Sequence, residues 1–245
     1  MFEKESLEQF FEKVGDSVRI PLTIYLIGGC NMNLRNMKPA TKDVDIVLLN
    51  QKELLAFKEA VQQMNYAIDE ELFQEAVYQD AVIVFKDKSG SRIDVFVKII
   101  CNQLQLSEGM IKRSKEYKTY EKVKVMLVSS EDIFLFKSLT DREQDINDCF
   151  VFIDAGLDWD IIIKECVDQH RENVKWIFWL YEQICRIEDT KGISIPKKRD
   201  IFKVCRDNWK KRPLDFMLEF DGDVIKKHIP LPEQRELIEK KHNKT

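Results

Sequence analysis

The spacing of apolar and polar positions changes along the chain, and each change predicts an element. Leu7, Phe10, Phe11 and Val14 recur at helical spacing, which predicts a helix over residues 6–18. The continuous apolar run 22–27 reads as a strand buried on both faces. A short helix is expected to begin at Gly28 and reach residue 36, followed by a second apolar strand over 44–49. Leu54, Leu55, Phe57, Ala60 and Val61 predict an amphipathic helix over 51–64. The β-rich runs 76–85 and 91–99 flank a polar, glycine-bearing hairpin turn at 86–91, and 122–128 forms a further short strand.

Past Ser130 the pattern becomes helical throughout. Amphipathic helices are expected at about 131–155, 158–169, 171–188 and 197–209, with breaks near Pro196 and Pro213. Trp176, Phe178, Trp179 and Tyr181 stand at helical spacing, which marks core more than a base-stacking surface. The charged stretch 233–245 reads as a frayed terminal helix. The expected architecture is therefore α+β: a mixed sheet flanked by helices over 1–128, followed by a helical domain over 129–245.

Composition narrows the function classes. The 245 residues are 44% hydrophobic and 33% charged, the balance of a soluble globular protein with a sizeable core. With 39 basic against 43 acidic residues, the net charge of -4 supplies no global field for nucleic acid. A polynucleotide would need a local patch, and basic clusters stand at Lys112-Arg113-Ser114-Lys115, Lys197-Lys198-Arg199 and Lys210-Lys211-Arg212, although solvated helix ends give the same pattern. The N-terminus lacks an apolar signal core and no apolar run approaches a membrane span, so a cytoplasmic protein without a membrane partner is expected. Cys30, Cys101, Cys149, Cys166, Cys185 and Cys205 form no Cys-x-x-Cys pair, which speaks against zinc and for reduced, buried thiols.

Asp43 and Asp45 carry the candidate chemistry. Residues i and i+2 of a strand share a face, so both carboxylates aim at one spot, just beyond the backbone amides of Gly28 and Gly29. Charges embedded in an apolar strand need a partner, and a cation is the natural one. Thr41 adds a hydroxyl able to bond a carboxylate or a phosphate. Asp94 is a third isolated acid on a later strand; if the two strands are neighbours, three carboxylates converge. Three carboxylates suit a two-metal Mg²⁺ centre for phosphoryl transfer, with Asp94 also aiding deprotonation of the acceptor.

Gly28-Gly29, Thr41-x-Asp43-x-Asp45 and Asp94, in that order and spacing, resemble the signature of the DNA polymerase-β-like nucleotidyltransferase superfamily. The resemblance implies that Asp43, Asp45 and Asp94 are catalytic and hold Mg²⁺, and that the Gly28-Gly29 turn holds the nucleotide. A second block, Lys137 followed by Arg142-x-x-Asp145-x-x-Asp148, is similar to a helix of the AbiEii-toxin-like and related prokaryotic nucleotidyltransferases, whose lysine is implied to contact nucleotide phosphates. On a continuous helix Lys137, Asp141, Asp145 and Asp148 fall within about 80° of one another, a stripe that a solvated face with a Lys137–Asp141 ion pair would also explain. The chain departs from the family at Gly28-Gly29-Cys30, where many members have Gly-Ser, so backbone amides and Asn31 are left to meet phosphate. Many relatives also have an arginine just before the threonine; here Arg35 and Lys38 are the nearest cations.

The implied activity is Mg²⁺-dependent transfer of a nucleoside monophosphate from an NTP, ATP included, to a hydroxyl of RNA, a tRNA end or a protein side chain. The competing expectations are a catalytically weak module of a toxin–antitoxin pair, with a cognate partner, and a structural metal-binding domain stabilised by Mg²⁺ without nucleotide.

Overall fold

The computed structural model describes residues 1–70, 83–100, 104–140, 142–169, 176–209 and 227–229. The fold is mixed α+β, and the chain divides into two compact units, Met1–Ile133 and Phe134–Thr245. The first unit opens with α1 (Lys4–Ser17), β1 (Leu22–Leu26), α2 (Gly28–Leu34), β2 (Asp43–Leu48) and α3 (Gln51–Gln63). The short strands β3 (Ala67–Ile68) and β4 (Ile83–Lys86), then β5 (Arg92–Val97), β6 (Ile99–Ile100) and β7 (Leu104–Gln105), follow. It continues through α4 (Glu108–Arg113), β8 (Lys115–Tyr120) and β9 (Val123–Leu127).

The strands form one mixed sheet in the order β3-β4-β5-β2-β1-β9-β8, with β6 pairing β5 and β7. β2 lies near the centre, antiparallel to β1 and parallel to β5, while β1 runs parallel to β9. The parity of each strand decides what it shows. Val44, Ile46, Leu48, Ile93, Val95, Ile24 and Leu26 point to one face, where they are buried against Phe10, Phe11 and Val14 of α1 and Leu54, Phe57 and Val61 of α3. Each such side chain contributes about 1.5–3 kcal/mol of burial, which fixes the register, since a slip by one residue would turn the acids into this core. The helix starts are also specified: the Asn50 side chain accepts from the Glu53 amide at 3.0 Å, and the Glu53 carboxylate accepts from the Leu49 amide at 2.9 Å.

The second unit is helical among its described residues. α5 (Ser130–Lys137) crosses into it and is followed by α6 (Glu143–Ala155), α7 (Trp159–Gln169), α8 (Trp176–Lys191) and α9 (Lys198–Trp209). Trp176, Phe178 and Tyr181 are buried, and the five described cysteines are free and buried. Among the described residues no helix is long and apolar enough to cross a membrane.

Several features differ from expectation, among them the two-residue strands β3, β6 and β7, too short to leave an apolar pattern. The helix expected at 131–155 is two helices: the Ser138 amide bonds both Phe134 and Leu135 carbonyls, tightening the last turn, and a new helix starts at Glu143. β8 was not foreseen because Lys115, Glu116, Lys118 and Thr119 are exposed on this outermost strand, leaving no apolar alternation. α4 is a single short turn-and-a-half, started by Ser107, whose hydroxyl accepts from the Met110 amide at 3.1 Å. Residues 76–82, Cys101, Asp141, 171–175, the Lys210-Lys211-Arg212 cluster, Pro213 and the stretch 233–245 lie outside the described residues.

Candidate active site

Strand pairing alone assembles the site. Because β1 is antiparallel to β2, the end of β1 meets the start of β2, and the Ile27 amide donates to the Asp45 carbonyl at 3.2 Å. Because β5 is parallel to β2, its start lies at the same end of the sheet, with Asp43 opposite Arg92 and Asp45 opposite Asp94. Asp43, Asp45, Arg92 and Asp94 therefore share one face, the face turned away from α1 and α3. Asp43 and Asp45 are half-buried, while Asp94 is only 7% exposed.

Arg92 runs between the acids. Its Nη2 lies 2.8 Å from Asp43 Oδ2 and donates to Asp94 Oδ2 at 3.1 Å. Its Nε approaches Asp94 Oδ1 at 2.9 Å, an ionic contact out of line for a hydrogen bond, and that oxygen is buried without one. Burial pushes the Asp94 carboxyl up to about 7; Asp45 and Asp43 add to the rise, and Arg92 opposes it.

The two glycines have a packing reason. Gly28 has φ +60°, and a Cβ there would stand 2.0 Å from Asp45 Oδ2. A Cβ on Gly29 would stand 2.5 Å from Thr41 Oγ1 and 3.8 Å from Lys38 Nζ. The turn thus admits the Asp45 carboxylate and the Thr41 hydroxyl against bare backbone. Lys38 was named from the sequence only as a nearby cation; its placement follows from Asn33, whose amide donates to the Lys38 and Pro39 carbonyls at 2.9 and 2.8 Å.

Several residues expected at phosphate are engaged otherwise. Asn31 is fully buried, and its Nδ2 donates to the carbonyls of Leu26 and Val128 at 2.7 and 3.0 Å. Its Oδ1 accepts from Arg35 Nε at 2.8 Å, so Asn31 ties the ends of β1 and β9 together and has no donor left for a ligand. Thr41 Oγ1 donates to the Asp43 carbonyl at 3.0 Å, which leaves its oxygen as an acceptor only. The Cys30 thiol donates to the Ile27 carbonyl at 3.0 Å, and burial, then Asp45, pushes its pKa well up, so it is a packed thiol and no substitute for a serine hydroxyl.

Lys137 belongs to the second unit. Its Nζ lies 2.6 Å from Asp145 Oδ1 and 2.7 Å from Asp148 Oδ2, and its side chain is 10% exposed. Arg142 also pairs with Asp145, at 2.7 Å, and Gln144 donates to Asp148 at 2.9 Å. The residues of the second motif do come together, but across the break between α5 and α6 rather than along one helix. Among the basic clusters, Arg113 pairs with Asp132 at 2.7 Å and Lys197 with Asp160 at 3.0 Å, an ion-pairing use.

No protein-family model matches this chain, and no curated protein matches it either. The functional reading therefore stands on the geometry. The donor set, hard carboxylate oxygens on adjacent strands with one oxygen of Asp94 buried and lacking a hydrogen bond, fits a divalent cation such as Mg²⁺ in chemistry. As arranged, no group of three or more His, Cys, Asp or Glu among the described residues is placed to hold a metal, and the guanidinium of Arg92 occupies the space between Asp43 and Asp94. The sequence signal for Arg92 is its i, i+2 spacing to Asp94, which puts it on the acid face.

Proposed function

We propose that this chain is a Mg²⁺-dependent nucleotidyltransferase that moves a nucleoside monophosphate from an NTP to a hydroxyl acceptor, an RNA or tRNA end or a protein side chain. The observation that carries the reading is the register of β2 and β5, which sets Asp45 beside Asp94 and keeps Asp43 on the same face. Asp43, Asp45 and Asp94 would hold the cation. When bound, the cation neutralises triphosphate charge and makes the acceptor hydroxyl easier to ionise. Asp94 would also take the proton of that hydroxyl. Backbone amides of the Gly28-Gly29 turn, with Lys38 beside Gly29, supply the positive side toward the phosphates.

The test is calorimetric titration with ATP, CTP, GTP and UTP, with and without Mg²⁺, on wild type and Asp45→Asn. Metal-dependent binding lost in Asp45→Asn is the expected result. No metal-dependent binding of any NTP, with both proteins alike, ends the reading. Incubation with α-labelled NTPs and cell extract then identifies base and acceptor together. The inward Cys30 thiol and the seated Arg92 favour a second reading, a catalytically weak module of a toxin–antitoxin pair. Co-purification with a partner protein and no label transfer would select it.

A further inference from the structure

Arg92 sets the charge of the acid cluster. It is two residues from Asp94 on β5 and opposite Asp43 on β2, so strand parity and pairing aim its side chain at both. The guanidinium reaches Asp43 at 2.8 Å and Asp94 at 2.9 and 3.1 Å, all at the place where a cation shared by these carboxylates would sit. The Asp94 pairing is incomplete: the side chain is nine-tenths buried, yet its Oδ1 has no hydrogen bond. A bidentate fork made to last would satisfy both oxygens.

We infer that Arg92 is a resident counter-cation of this site, holding the sheet end together without metal and competing with a divalent cation for Asp43 and Asp94. The inference rests on the metal-site reading given above. A divalent ion entering the cluster meets a fixed positive charge a few ångströms away and must displace it. With the screening of a hydrated site, an effective dielectric constant of about 50 to 80, a like charge at roughly 5 Å from a divalent ion weakens its binding by about one to two orders of magnitude. Removing the guanidinium therefore acts in opposite directions: the metal-free protein loses a counter-charge, and the metal gains a seat. A purely structural arginine gives only the first effect.

Mn²⁺ titration followed by the electron paramagnetic resonance of the free ion, in nucleotide-free wild type, Arg92→Gln, Arg92→Lys and Asp45→Asn, separates the cases. Arg92→Gln should bind Mn²⁺ about tenfold to a hundredfold more tightly than wild type. Its melting temperature should fall in a chelator and recover with Mg²⁺ by more than that of wild type. Arg92→Lys keeps the charge but cannot span both carboxylates, so its affinity should lie between the two; it also serves where Arg92→Gln does not fold in the chelator. Arg92 variants no tighter than wild type, with binding abolished in Asp45→Asn, would overturn the role of Arg92 while leaving the metal centre standing. No Mn²⁺ binding by wild type or by either Arg92 variant would remove the metal centre itself, and this role with it.

Discussion

Gly28 shows how much one position must satisfy. Its φ of +60° is a conformation that side-chain-bearing residues adopt at a cost, and its missing Cβ leaves the room that Asp45 Oδ2 occupies. Gly28→Ala should therefore strain the backbone and displace the Asp45 carboxylate together. The expected stability loss is about 1–3 kcal/mol, read as a lower thermal midpoint, with metal-dependent nucleotide binding lost as well. An alanine variant that keeps the wild-type midpoint would show that Asp45 does not press on this turn. Asn31 makes the complementary point. In the sequence it is a polar residue beside a glycine turn, the usual profile of a ligand-facing amide. In the fold its amide bridges the Leu26 and Val128 carbonyls and its oxygen takes Arg35 Nε, so Asn31→Leu should strip each carbonyl of one hydrogen bond, leaving the Val128 amide at 3.4 Å and Arg35 Nη2 at 2.9 Å, and cost about 1–3 kcal/mol. A loss of nucleotide binding without a change in the denaturation midpoint would instead place Asn31 at the ligand.

Between elements, what the sequence makes legible depends on how local the cause is. The shared face of Asp43 and Asp45 follows from strand parity, and the buried face of β2 from Val44, Ile46 and Leu48. That Asp94 lies beside Asp45 depends on β5 pairing with β2 across an intervening helix and hairpin, which no local pattern encodes. The junction of α5 and α6 was illegible for a similar reason. Read as one helix, Lys137, Asp145 and Asp148 form a solvent stripe; read as two, the same residues close a buried network, with Asp145 2% and Asp148 4% exposed. Burial alone would lower the Lys137 pKa, but Asp145 and Asp148 outweigh it and hold it raised. Lys137→Met should therefore leave two buried carboxylates short of a cation and cost about 3–5 kcal/mol, measured by urea denaturation. A phosphate-binding lysine predicts a different result, little change in stability and a weaker nucleotide affinity, so the two measurements together assign the residue.

For the whole chain, the two units carry carboxylates shifted in opposite directions, and the pH profile should register both. Asp94, in the first unit, has its carboxyl pushed from 3.8 up to about 7 by burial, with Asp45 and Asp43 adding to it and Arg92 opposing. The native state then binds the proton more tightly than the unfolded chain, so stability falls as pH rises from 3.8 to about 7. Asp145, in the second unit, is the reverse case: burial works to raise it, but Lys137, Thr140 and Arg142 hold it below 3.8. The stability it contributes is fully present above 3.8 and is lost as pH falls through its lower native value. In a chelating buffer, wild type should be most stable on the acidic side of neutrality and lose midpoint temperature toward pH 7. Asp94→Asn removes the group responsible for the falling limb only. Its midpoint relative to wild type should rise steadily between pH 4 and pH 7, by roughly 5 °C or more at the upper end, while the acid-side loss stays the same in both proteins. A difference between the two midpoints that stays constant across this window would mean that Asp94 titrates like an ordinary carboxylate and that burial among Asp43 and Asp45 does not raise it.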